Sequence, residues 1–106
     1  MQKVRLIDYD VSQIITLFKK YFGPEDHLWI FGSRVDLTKR GGDIDLYIET
    51  KDPIASSANR KRADYRIALW DVIGEQKIDI VLNLIAAQPY ELAIYKVARA
   101  EGIQLL

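Results

Sequence analysis

Apolar residues recur at helical spacing near the start of the chain. Val11, Ile14, Ile15, Leu17, Phe18, Tyr21 and Phe22 repeat at intervals of three and four, the pattern of an amphipathic helix. Asp10 is its predicted N-cap and Gly23-Pro24 its stop. The period then changes. His27-Leu28-Trp29-Ile30-Phe31 is a short apolar run that predicts a buried strand ending at Gly32. Ser33 to about Gly42 is expected to form a short helix and a loop closed by Gly41-Gly42. From Asp43 to Glu49 apolar and polar residues alternate, placing Ile44, Leu46 and Ile48 towards the core and Asp43, Asp45 and Tyr47 on the other face.

Asp52-Pro53 predicts a helix start, a capping side chain followed by a proline in the first turn. That helix should reach Gly74, with Ala58, Tyr65, Leu69, Val72 and Ile73 as its buried stripe. Lys77 to Leu82 reads as a third strand, Pro89 to Glu101 as a last helix stopped by Gly102, and Ile103 to Leu106 as a short terminal strand. Helices alternating with strands predict an α/β (α+β) fold, a mixed sheet flanked by helices. With 106 residues, the chain has the usual size of one domain, and residues 1–106 are read as a single unit.

Composition narrows the function. Fifteen basic residues balance fifteen acidic ones, so no global field favours a large nucleic-acid footprint. The basic run Arg60-Lys61-Arg62 is read as a solvated helix face. Cysteine is absent, which excludes disulfides and thiolate metal sites and suits a reducing cytoplasm. His27 is the sole imidazole, too few for a zinc site or for a serine nucleophile served by a histidine. Trp29, Phe31 and Trp70 lack the basic surroundings of a single-strand binding platform and are read as core. The N-terminal residues turn charged too soon for a signal-peptide core, and no apolar stretch approaches the ~20 residues of a membrane span. The expectation is a soluble cytoplasmic protein.

The chemistry lies in three carboxylates and a turn. Asp43 and Asp45, two apart on a strand, leave the same face with Cα atoms ~6.5–7 Å apart. Carboxylates at that spacing suit one hard divalent cation, of which Mg²⁺ bound with substrate phosphates is the usual case. Asp79 interrupts an apolar strand, a costly position unless the carboxylate is paired or coordinated. Gly32-Ser33, directly after a buried strand, lets backbone amides approach a phosphate, and Arg34 adds positive charge for a leaving pyrophosphate.

The set Gly32, Ser33, Asp43, Asp45 and Asp79 resembles the motif of the minimal nucleotidyltransferase (MNT) branch of the DNA polymerase β-like superfamily. Val35-Asp36-Leu37 departs from the small residues that often follow Gly-Ser in that family, and Gly42 stands where many members have serine. The resemblance implies the nucleotidyltransferase fold and ATP held with Mg²⁺ by Asp43, Asp45 and Asp79. It also implies Asp79 as base, a triphosphate gripped by Gly32, Ser33 and Arg34, and AMP transfer to a hydroxyl. In the family that hydroxyl commonly belongs to a tyrosine of a helical HEPN partner, the two forming a toxin–antitoxin pair. The alternatives are a non-catalytic nucleotide-binding antitoxin or scaffold, and the catalytic half of a two-subunit transferase acting on a small molecule. The last helix, with Tyr90, Leu92, Ile94, Tyr95 and Val97 pointing in nearly every direction, predicts burial on more than one side, as at a protein interface or beneath the terminal strand. A homo-oligomer is compatible with the same pattern.

Overall fold

The computed structural model describes residues 8–32, 44–87 and 91–106. In chain order its elements are α1 (Asp8–Tyr21), β1 (His27–Phe31), β2 (Ile44–Thr50), α2 (Ala55–Ile73), β3 (Ile78–Leu84), α3 (Ala93–Glu101) and β4 (Ile103–Gln104). The four strands form one mixed sheet in the order β3-β2-β1-β4. β1 runs antiparallel to both β2 and β4, and β2 and β3 are parallel, joined through α2. Parallel neighbours need such a long crossover, whereas antiparallel ones do not.

Alternation along β2 sends its side chains to two different faces of the sheet. Ile44, Leu46 and Ile48 are fully buried on one side, with Leu28 and Ile30 of β1 and Ile78, Ile80, Leu82 and Leu84 of β3. This face packs on Ile14 and Phe18 of α1, on Phe22 just beyond it, and on Ala58, Tyr65 and Leu69 of α2. Each such aliphatic or aromatic side chain removed from water contributes roughly 1.5–3 kcal/mol. Phe18 and Phe22 stack with centroids 4.9 Å apart, and the Tyr65 hydroxyl donates to Ile14 O at 2.7 Å, tying α2 to α1. On the opposite face, Trp29, Phe31 and Tyr47 meet Tyr95 and Ala98 of α3.

The three helix starts differ from the periodicity, β3 runs on to Leu84, and β4 ends at Gln104. α1 begins at Asp8, so Asp10 lies inside its first turn and is not the cap. α2 begins at Ala55 after Ile54, which gives no side-chain cap. Asp52 instead organises the preceding turn, accepting Ile54 N–H at 3.0 Å, Ser57 Oγ at 2.6 Å and Lys61 Nζ at 2.9 Å. These donors, Ser57 first, hold its carboxyl down to about 2. α3 begins at Ala93 rather than Pro89, which lies outside the described residues. Val72, expected in the buried stripe of α2, is exposed, because the stripe continues through Leu69 and Ile73, four apart, and leaves Val72 at its margin. The helix and loop expected between Ser33 and Gly42 lie outside the described residues.

Gly102 closes α3 through a close approach. A Cβ there would meet Ala98 O, and Ile30 O at 2.8 Å, so only glycine lets the chain turn directly from α3 into β4. At the other end of β1, buried Asp26 accepts Gly23 N–H, Thr50 Oγ1 and Lys51 N–H at 2.9–3.0 Å, joining the entry of β1 to the exit of β2.

β3 is the sheet's outer strand on its side. Its Lys77 and Ile85 ends bond to Ile44 and Thr50, which directs the odd-numbered peptide groups to β2 and the even-numbered ones outwards. Three of the outward carbonyls are occupied: Ile80 O by Arg62 Nη1 at 3.3 Å, Leu82 O by the Tyr95 hydroxyl at 3.5 Å, and Leu84 O by Ala87 N at 3.1 Å. An apolar edge is thereby protected against strand addition, which needs free acceptors as well as donors.

Candidate functional site

Asp45 is the second residue of β2 and Asp79 the second of β3, and the two are direct partners in the parallel register. Adjacent strands stand ~4.8 Å apart. Both residues belong to the face that carries Tyr47, Val81 and Asn83, since side chains two apart on a strand share a face. Asp45 is half-buried and Asp79 exposed. The cost expected for a carboxylate in the apolar run of β3 therefore does not arise: Ile78, Ile80 and Leu82 face the core while Asp79 faces out.

Gly32 completes the third side. It follows Phe31, the β1 partner of Asp45, and turns the chain with φ +76, a left-handed conformation that side chains resist. A Cβ at this position would collide with Asp45 Oδ2. Glycine is thus required twice, by the backbone angle and by the carboxylate lying against it. Of the residues expected to form the site, Gly32, Asp45 and Asp79 converge, whereas Ser33, Arg34 and Asp43 lie outside the described residues.

The donor set has a definite chemistry. Two carboxylates one strand spacing apart offer hard oxygen ligands, which fit a divalent cation such as Mg²⁺. Among the described residues no group of three or more histidine, cysteine, aspartate or glutamate side chains is placed to hold a metal. Asp43, the remaining carboxylate of the sequence pattern, is beyond them. His27 is exposed at the opposite end of β1 from Gly32, its Nδ1 3.3 Å from Leu106 O, so no imidazole serves the Gly32 turn.

Behind the carboxylate pair lies a polar cluster that the sequence pattern did not single out. Tyr47 is 0% exposed, its ring 5.1 Å from Trp29 and 5.6 Å from Tyr95. With both neighbours in place it has no face for stacking on a nucleotide base. Its hydroxyl donates to Glu49 Oε2 at 2.7 Å and accepts from Asn83 Nδ2 and Arg99 Nη1, each at 3.0 Å. Arg99 also binds Glu49 at 3.0 Å and pairs with Glu91. Glu91 first, with Glu49 and Tyr47 adding to it, keeps the guanidinium firmly charged. Burial pushes the Tyr47 phenol up to about 12. The only sequence signal for this cluster was Glu49 in phase with Asp45 and Tyr47; Asn83 and Arg99 join it from distant elements.

The chain matches no protein-family model, and a search of curated proteins found no match. Among the described residues, no helix is long and apolar enough to cross a membrane.

Proposed function

We propose that the chain is a Mg²⁺-dependent nucleotidyltransferase that moves AMP from ATP to a hydroxyl, with a tyrosine of a HEPN-type helical partner as acceptor, acting as the antitoxin of a toxin–antitoxin pair. The observation that carries this reading is the in-register pair Asp45–Asp79 with Gly32 packed on the Asp45 carboxylate. Asp43, Asp45 and Asp79 would hold the cation. When bound, Mg²⁺ supplies positive charge to the triphosphate and to the attacking oxygen. Gly32 and Ser33 bind and orient the triphosphate, and Arg34 neutralises the departing pyrophosphate. Asp79, exposed at the rim, accepts the proton of the acceptor hydroxyl. A bond forms between that hydroxyl oxygen and the α-phosphorus, the α–β phosphoanhydride bond breaks, and pyrophosphate leaves.

The outer side of α3 supports a partner-dependent reading. Leu92, Ile94 and Val97 are 45%, 39% and 41% exposed, and β4 pairs with β1 instead of covering them. The same observation favours a second reading, a non-catalytic antitoxin or scaffold that acts through this face.

Isothermal titration of a non-hydrolysable ATP analogue with Mg²⁺ tests the site. Binding should require the metal and weaken at least about tenfold in Asp45→Asn/Asp79→Asn, the loss expected from removing charged ligands. Absence of binding by folded wild-type protein would overturn the nucleotide reading and favour the second.

A further inference from the structure

The basic run on α2 is not uniformly a solvated face. Arg60 is exposed and Lys61 binds Asp52 at 2.9 Å, but Arg62 is half-buried against the outer edge of β3. There its Nη1 reaches Ile80 O at 3.3 Å and its Nη2 reaches Asn59 Oδ1 at 2.6 Å. Arg66 follows one helical turn later, on the same side of α2. It too is half-buried, and its Nε is enclosed with no hydrogen-bond partner. Among the described residues neither guanidinium forms an ion pair, while Arg60, Lys51 and Arg99 all do. Burial, and then the charge of Arg66, lowers the proton affinity of Arg62.

Two like charges one helical turn apart and partly desolvated are destabilising unless an anion joins them. Arg62 is already oriented by two neutral acceptors, so its fork is fixed before any ligand arrives. Arg66, by contrast, has no acceptor among the described residues.

We propose that Arg62 and Arg66 form an oxyanion site at the β3 edge, and that its ligand is a phosphate dianion. One carboxylate would neutralise only one of the two guanidinium ions, whereas a phosphate group carries about 1.5–2 negative charges near pH 7 and accepts bidentate bonds from arginine. The dianion comes either as free phosphate or as the terminal phosphate of a nucleotide. The site rests on α2 and β3 alone and stands whether or not Asp45 and Asp79 support turnover.

The test is an NMR titration of full-length protein with inorganic phosphate at constant ionic strength, in EDTA so that no metal loads the carboxylates. Wild-type protein should show saturable shifts at Arg62, Arg66 and Ile80 and a rise in melting temperature with phosphate. Arg66→Gln should bind roughly tenfold more weakly or worse, and its melting temperature should no longer respond. Arg66→Lys, which keeps the charge but loses the fork, controls for folding and should bind with intermediate affinity. Non-saturating shifts in wild type, or equal affinity in Arg66→Gln, would overturn the site. A parallel titration with ATP in EDTA identifies the source. Tighter binding than phosphate assigns the site to a nucleotide, and equal or weaker binding assigns it to free phosphate.

Discussion

Arg99 Nη1 lies 3.0 Å from the Tyr47 hydroxyl, a bond that fastens the last helix to the strand carrying Asp45. Tyr47 stands two residues from Asp45 on the same face of β2, so α3 is held against the strand that positions the candidate ligand. The same guanidinium reaches Glu49 at 3.0 Å and pairs with Glu91, so one side chain serves three acceptors.

Removing this fastening has a defined cost. Arg99→Met keeps much of the side chain's length but leaves the partly buried Glu49 carboxylate without its cation. Stability measured by urea unfolding should fall by about 1–3 kcal/mol, the usual cost of orphaning a buried hydrogen-bonding group. Arg99→Lys should recover only part of it, because a lysine ammonium cannot span the same fork of acceptors.

Gly32→Ala should be far more damaging than Gly23→Ala. The left-handed angle at Gly32 alone costs roughly 1–2 kcal/mol for a residue with a Cβ. The added methyl would also displace Asp45 Oδ2, whereas at Gly23 it would meet Asp26 Oδ2 at an ordinary 3.7 Å. Urea unfolding of both variants checks the stability difference. Metal-dependent nucleotide binding, measured by calorimetry, should weaken in Gly32→Ala and persist in Gly23→Ala.

The buried phenols of Tyr47 and Tyr65 should make the protein alkali-labile. Burial raises Tyr47 to about 12 and Tyr65 higher still, above the usual tyrosine value near 10. A phenol raised in the folded state favours folding below pH ~10, and that contribution is lost as pH rises through the folded value. Absorbance titration should show Tyr47 and Tyr65 ionising well above the usual tyrosine value, together with unfolding. Tyr47→Phe should remove one late-titrating phenol. Early ionisation of all six tyrosines with the fold intact would contradict the burial.

The alternation of Ile44, Leu46 and Ile48 with Asp45 and Tyr47 was enough to place β2 and its two faces, because a strand's side chains must alternate whatever surrounds it. His27–Phe31 and the stop at Gly102 were legible for similar local reasons. Helix starts were less so. Asp10 and Asp52 have capping chemistry, yet tertiary packing carried one helix further and set the other to begin later. The solvated reading of the basic run held for Arg60 and failed for Arg62, since only the assembled sheet brings Ile80 O within its reach.

The sequence by itself determined which residues are apolar in phase, where glycine must stand, and that carboxylates lie near the starts of two strands. Tertiary structure decided that those strands are parallel neighbours in a register that sets Asp45 beside Asp79. It decided also that Tyr47 is sealed beneath α3 and that Arg99 meets Glu49 across fifty positions of sequence. The physical reason is that periodicity records what one segment needs from its own backbone. Register and burial depend on which segments meet, and that is set by the packing of both sheet faces at once.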